Sequence, residues 1–358
     1  MTPRRSSEPF APQRSAARRA GAFIGLSLLG LALLSTGAWG VLALAVSGPA
    51  NAALRFGLAA GFGIAALAAL VALALRRWRA LAAYAALFVA ALAWYFSLAP
   101  SNERDWVTEN AVLARATVAG DVVTVHNIRN FSYRSETDFT PAYHDKRFDL
   151  RQLEGVDLVS VYWMGPHVAH VFLSFAFAGG EHLAVSIEAR KEKGEGYSTV
   201  NGFFRQYELY YVVADERDVI GLRSNVRADP PEQVYIYRLQ GRTDAARRVF
   251  MAYIEQINAL AERPQFYNSL TTNCTTNIWV ASRVNAEHVP FSWKILASGH
   301  VPEYLYEQGR LAGGELPFAE LQRRAFVNGR AQAAGIVPDF SRRIRDPAAP
   351  STLPPRLP

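Results

Sequence analysis

His167-Val168-Ala169-His170-Val171-Phe172-Leu173-Ser174-Phe175-Ala176-Phe177 runs into Ala178-Gly179-Gly180-Glu181 and returns as His182-Leu183-Ala184-Val185-Ser186-Ile187-Glu188-Ala189. Two runs rich in β-branched and aromatic residues on either side of a Gly-Gly turn predict an antiparallel hairpin. If the turn centres on Gly179 and Gly180, position 170 lies opposite about 189. A three-residue loop moves its partner to 188. Glu188 therefore faces His170 to within one residue of register. Outward from the hairpin, residues 122–125 and 156–163 read as strands, and 127–131 turn into a further short one. Residues 208–213 and 234–239 follow as strands, while 135–147 read as a polar loop. Asp244 is expected to cap a helix reaching Arg263, with Val249, Tyr253, Ile257 and Leu260 on one face. This order is α+β: strands around an antiparallel hairpin, with helices on one side. The domain spans residues 101–314. Residues 315–358 form an extension, read as disordered from Pro338 and Pro-rich at 346–358.

Further along stands Tyr267-Asn268-Ser269-Leu270-Thr271-Thr272-Asn273-Cys274-Thr275-Thr276-Asn277-Ile278-Trp279, which holds the one cysteine of 358 residues. A single cysteine excludes an intramolecular disulfide. Asn273 or a neighbouring threonine suits the N-cap of a helix continuing through Val284. Cys274 then lies in the first turn, where free N–H groups and the helix dipole favour a thiolate. The plainer alternative is a small buried residue at a helix start. A nucleophilic thiolate needs a proton-transfer partner. Of seven histidines, His126, His144, His288 and His300 fall in loops or near turns, and His167, His170 and His182 belong to the hairpin. His170 opens a strongly apolar strand and faces Glu188, which suits the orienting role of a third triad member. A salt-bridged strand end is the alternative for Glu188. His167, His170 and His182 also offer a metal alternative. Residues three apart on a strand point to opposite faces, and neither a His-Glu-x-x-His helix nor a cysteine pair is present, so no metal is expected. No Gly-rich nucleotide loop appears, and no cofactor is expected.

The formal charge is +7, but the arginines flank apolar runs and accompany no nucleic-acid motif, so a membrane partner is expected and nucleic acid is not. Residues 21–46, 56–75 and 80–98 are apolar. The first run alone reaches about 39 Å as a helix, enough to cross a bilayer. Gly57, Gly61 and Gly63 suggest helix packing. Arg4, Arg5, Arg14, Arg18 and Arg19 precede the first span, Arg76, Arg77 and Arg79 join the second to the third, and only Arg55 lies between the first two. Keeping the positive ends in the cytoplasm leaves everything after Pro100 in the periplasm of a Gram-negative bacterium. Arg190, Lys191 and Lys193 follow the return strand, and Arg190 and Lys191 are candidate contacts for lipid phosphates. A solvated charge run is the alternative.

A histidine opening a hairpin, Glu-Ala closing the return strand, and Asn-Cys at a later helix start resemble the permuted papain-like proteins, relatives of NlpC/P60 enzymes and of lecithin retinol acyltransferase. In these, as here, histidine precedes cysteine. The text is still more similar to the Lnb N-terminal periplasmic domain family. The similarity rests on Asp138-Phe139-Thr140-Pro141, His170-Val171-Phe172-Leu173-Ser174-Phe175 and Ser186-Ile187-Glu188-Ala189-Arg190-Lys191-Glu192. Phe203-Phe204-Arg205-Gln206-Tyr207-Glu208 and Leu270-Thr271-Thr272-Asn273-Cys274-Thr275-Thr276 complete it. The resemblance implies a permuted papain-like domain after three transmembrane helices, and an extracytoplasmic thiol acyltransferase or hydrolase. Cys274 would be its nucleophile, His170 its base and Glu188 its third member, with a phospholipid or lipoprotein as substrate. The alternatives are an NlpC/P60-type cell-wall peptidase and a non-catalytic envelope binding module whose thiol is inert.

Overall fold

The computed structural model describes residues 13–346. Arg4, Arg5, the side chain of Arg14 and the Pro-rich run 347–358 lie outside the described residues. The chain divides into two compact units, the second beginning at Pro100.

The first unit consists of α1 (Gln13–Ser47), α2 (Ala52–Ala74) and α3 (Trp78–Ser97), three helices long and apolar enough to cross a membrane. Asn51 starts α2, its Oδ1 accepting the Leu54 N–H at 3.0 Å. Arg76 adopts φ +54° between α2 and α3. The helix seam meets the expectation at one of the three glycines. A Cβ on Gly63 would lie 3.3 Å from a Val41 methyl of α1, whereas one on Gly57 or Gly61 would meet nothing within 4 Å. The tightest approaches are at glycines of α1, where a Cβ on Gly40 would come within 2.2 Å of the Phe62 ring and one on Gly37 within 2.8 Å of the Ala66 Cβ. Thr36 and Tyr84 join α1 to α3 through their hydroxyls at 3.1 Å. Phe23, Leu28, Leu67 and Val89 point outward, the arrangement that a membrane-crossing helix requires.

The second unit is built on an eight-stranded sheet. Its strands are β1 (Arg115–Ala119), β2 (Val122–Arg129), β5 (Tyr143–Asp149), β6 (Leu153–Tyr162), β7 (Ala169–Phe177), β8 (Glu181–Arg190), β9 (Glu208–Ala214) and β10 (Gln233–Arg238). Between β2 and β5 the short β3 (Ser132–Tyr133) and β4 (Phe139–Thr140) form a separate ribbon. The order is β1-β2-β9-β8-β7-β6-β10, with β5 also paired to β2. Residues 135–147, expected as loop, therefore contribute β4 and part of β5. The turn expected at Asn127 is a bulge inside one continuous β2, where Asn127 takes φ +62° and the register to β5 shifts between Val125 and Ile128.

Strand alternation decides what each face buries. Val171, Leu173, Phe175 and Phe177 of β7 and Val185 and Ile187 of β8 face one core. There they meet Phe250, Tyr253, Ile254 and Ile257 of α5 (Thr243–Glu262), and α6 (Cys274–Ser282) packs beside it. Asp244 lies inside the first turn of α5, and the N-cap is Arg242. Phe172, Ala184, Tyr210 and Val212 face a second core. It is closed by α4 (Glu216–Gly221), by α10 (Asn328–Ala334) and α11 (Phe340–Arg343), and by Ile344. Helices thus cover both faces, not one. The remaining helices, α7 (Trp293–Leu296), α8 (Val301–Glu307) and α9 (Phe318–Ala325), follow the cysteine helix.

The extension also departs from expectation. Phe340 and Ile344 are fully buried. Arg345 reaches Asp157 on β6 at 2.7 Å and Glu216 on α4 at 2.7 Å. Residues 315–346 are part of the domain.

Candidate active site

The hairpin loop is the three-residue Ala178–Gly180, with Gly179 and Gly180 at φ +81° and +80°. Leu173 pairs with Val185 and Phe177 with Glu181, so the same register puts His170 opposite Glu188. The paired ladder between β7 and β8 stops at Leu173–Val185. Toward the site β7 continues only with β6, to Ala169–Tyr162, and β8 only with β9, to Arg190–Glu208. The sheet is split where His170 and Glu188 stand, and α6 packs against both strands there.

Two lead-in segments are held by close backbone approaches. Ser269 N–H donates to the Gly202 carbonyl at 2.9 Å, and a Cβ on Gly202 would lie 2.2 Å from Ser269 Oγ. On the histidine side, a Cβ on Gly299 would lie 2.1 Å from the Pro166 carbonyl. Only glycine fits at 299, where the atoms met are backbone, while a Cβ at 202 would have to push the Ser269 hydroxyl aside. Asn273 caps α6 as expected, its Oδ1 accepting the Thr276 N–H at 2.9 Å and its Nδ2 donating to the Ser269 carbonyl at 2.8 Å. Cys274 is thereby fixed as the first helical residue, half-buried.

Across the split, His170 stands close enough to Cys274 for each to shift the other's titration. Its Nε2 lies 2.6 Å from Ser186 Oγ, which donates to Glu188 Oε1 at 2.8 Å. Nε2 is 3.6 Å from that carboxylate directly. With Nε2 engaged, Nδ1 is the nitrogen left for the thiol. Arg223 Nη2 stands 3.4 Å from Glu188 Oε1, delivered by a turn of π-helix over Leu222–Val226, a geometry common at functional sites. Arg223 also pairs with Glu232 at 3.3 Å.

The electrostatics follow from this chain of contacts. Burial pushes the Cys274 thiol up, but the hydrogen bond and charge of His170 outweigh it, and the N–H groups of Val171 and Thr275 add to them, so the thiol ends below its ordinary value. Burial and Arg223 push His170 down, but its bonds to Cys274 and Glu188 leave it raised. Burial opposes ionisation of Glu188 too, yet His170 and Arg223 hold it well below the carboxylate range. Both shifts run in the direction that favours a thiolate beside an imidazolium, with a carboxylate behind them. In wild type, the midpoint of iodoacetamide alkylation against pH is expected below the ordinary thiol value of 9.0. In His170→Ala, where burial is left without its opponent, it should lie above. Equal midpoints in the two proteins would mean that no such pair exists. Cys274 is the only thiol that can react.

Residues 139–299 match the Lnb N-terminal periplasmic domain family. The matched segment carries His170, Ser186, Glu188, Arg223 and Cys274, and its two ends fall inside the unit, since β1, β2 and residues 300–346 complete the same fold. The Lnb-type segment and the three apolar helices before it fit a membrane protein with a periplasmic C-terminal domain. Neither a curated protein nor a solved structure matches the chain.

Within the Lnb-type segment, not every residue singled out from sequence joins the site. Arg190 is 2 % exposed. Its guanidinium lies 4.1 Å from the Trp106 ring centre and donates to the Asn110 and Ala111 carbonyls. It cannot contact a lipid phosphate, because stacking and two carbonyls consume it inside the fold. Lys191 is half-buried at the end of β8, and Lys193 pairs with Asp105 at 2.6 Å; neither joins the cysteine constellation. The three hairpin histidines do not converge. His167 Nδ1 lies 2.8 Å from His300 Nε2, and His182 lies near Asp157. Asp157, His182 and Glu216 are the one group among the described residues that brings three ligand-type atoms within 4.8 Å of one another. Arg345 is bonded to both carboxylates and Arg238 Nε lies 2.6 Å from Asp157, so guanidinium charge already balances the cluster.

Ser186 and Arg223 were not found from sequence. A signal for Ser186 existed, since it precedes Glu188 by two and shares its face. None existed for Arg223, whose reach depends on the π turn.

Proposed function

We propose that the protein is a membrane-anchored periplasmic cysteine acyltransferase or hydrolase with a permuted papain-like active site. The observation that carries this reading is Cys274 at the start of α6 coupled to His170, a base that Ser186 and Glu188 orient. Its membership of the Lnb-type segment supports it, and the arginine bias of the spans supports a periplasmic position at the inner membrane.

Cys274 Sγ attacks an ester or amide carbonyl. Free N–H groups in the first turn of α6 steady the oxyanion, the Thr276 N–H being held by the cap. The carbon–oxygen or carbon–nitrogen bond breaks as the His170 imidazolium protonates the leaving alcohol or amine, which leaves a thioester. His170 then takes a proton from an incoming amine or water, which attacks the thioester, and the thiol is released. Ser186 and Glu188 hold the imidazole throughout. Three spans keep this chemistry at the membrane, which favours a phospholipid acyl donor and a lipoprotein amine as acceptor.

The test is intact mass of the full chain after incubation in phospholipid nanodiscs. Expected is a gain of one acyl chain, removed by hydroxylamine and absent in Cys274→Ser. A chain that gains no mass while its thiol still alkylates normally refutes acyl transfer from lipid. An adduct formed only with a cell-wall stem peptide would instead make the protein a peptidase of the NlpC/P60 kind.

A further inference from the structure

A cavity of about 460 Å³ runs along α6 on a side that includes none of Cys274, His170 and Glu188. Val156, Leu158, Leu173, Val249, Ile278 and Leu305 line its interior. Gln240, Thr243, Ser282, Asn285 and His288 also line it, but the aliphatic stretch offers no hydrogen-bond partners, and a hydrocarbon chain needs none. A 150 Å³ apolar cavity holds benzene, so by the same packing this one holds roughly eighteen carbons. Its lining also carries Arg242, Arg248 and Arg310 against two carboxylates, Asp244 and Glu287. Asp244 accepts from Arg242 at 2.9 Å and from Arg248 at 3.1 Å. Arg310 bonds the Glu287 carbonyl oxygen of the backbone at 2.6 Å. One guanidinium is in excess.

We infer that this cavity binds a long-chain fatty carboxylate, with the chain among the aliphatic residues and the carboxylate at the arginine rim. Chain length follows from volume, head charge from the arginine excess, and supply from the three membrane spans of the same polypeptide. The site is separate from the thiol, so it stands or falls independently of the acyl chemistry proposed above.

Trp279 lines the cavity and supplies the reading. The full chain in nanodiscs is titrated with cis-parinaric acid, a fluorescent fatty carboxylate. Expected is saturable energy transfer that oleate competes away and that drops in Trp279→Phe by the contribution of that one indole. Each methylene of buried chain is worth about fourfold in affinity, so Val249→Phe, which displaces two or so, should weaken binding about tenfold. Arg310→Gln, which leaves the core untouched, should weaken parinarate several-fold and a long-chain alcohol not at all. The inference is overturned if transfer does not exceed that of empty nanodiscs, if Trp279→Phe changes nothing, or if both variants bind parinarate as wild type does.

Discussion

His170→Ala is expected to slow acyl-adduct formation at Cys274 by about 10²–10⁴-fold, the usual worth of a positioned base. The reason is double. The variant loses the group that carries the proton, and it loses the charge that favours the thiolate. Cys274→Ser should leave no measurable adduct. Ser186→Ala and Glu188→Gln should each cost less, because His170 keeps its bond to the thiol in both. These residues act as one chain, so the double change His170→Ala with Glu188→Gln should be little worse than His170→Ala alone. Single-turnover mass spectrometry, with the fold checked separately, measures all five proteins. Near wild-type rates in His170→Ala would remove it from the mechanism. A Glu188→Gln effect as large as that of His170→Ala would mean the carboxylate does more than orient.

The second large effect is on stability. Arg345→Ala should destabilise the periplasmic unit by about 3 kcal/mol or more, because removing one partner leaves charge buried without compensation. Asp157 and Glu216 are 2 % and 1 % exposed. Arg238 still holds Asp157, but Glu216 keeps only the Ser174 hydroxyl and the nearby His182. At about 3 °C per kcal/mol for a unit of this size, the melting midpoint should fall by roughly 10 °C. The pH dependence has a definite sign. Burial raises Glu216, but Arg345 outweighs it and brings the carboxyl down to about 2 from 4.5. A depressed carboxylate contributes stability above its unfolded pKa and loses it as pH falls through the folded one. The wild type should therefore lose this stabilisation between about pH 4.5 and 2, and Arg345→Ala should have little of it to lose. A midpoint within 1–2 °C of wild type at neutral pH, well short of the shift expected for a unit of this size, would show that the clasp is dispensable.

Residue by residue, legibility followed the range of the interactions. Period-two alternation and a Gly-Gly turn are local, so the hairpin and the facing of His170 by Glu188 could be read to within one residue. A helix cap is local too, and Asn273 took that place. Arg190 misled because Arg-Lys-Glu-Lys reads as surface, although it shares the parity of Ser186 and Glu188 and so their face. What hides it is Trp106, 84 positions earlier, and no pattern joins the two. The extension misled for a similar reason. Its arginines and prolines have the composition of a disordered tail, but two buried carboxylates far upstream require one of those arginines. Helices on the second face went unseen because α10 and α11 have seven and four residues, too short for a periodic signal.

The split in the sheet gives Val171 an unusual acceptor. Its amide helps hold the Cys274 thiol down, where an unbroken ladder would have offered it a carbonyl oxygen. A thiolate attracts that proton strongly, and a thioester sulfur, neutral and electron-poor, hardly does. The Val171 amide proton should therefore shift upfield and exchange faster with solvent when Cys274 is acylated, then return when the acyl group leaves. Isotope-edited NMR at a single backbone position could in this way follow turnover from inside the fold, with neither a labelled lipid nor a chromogenic leaving group.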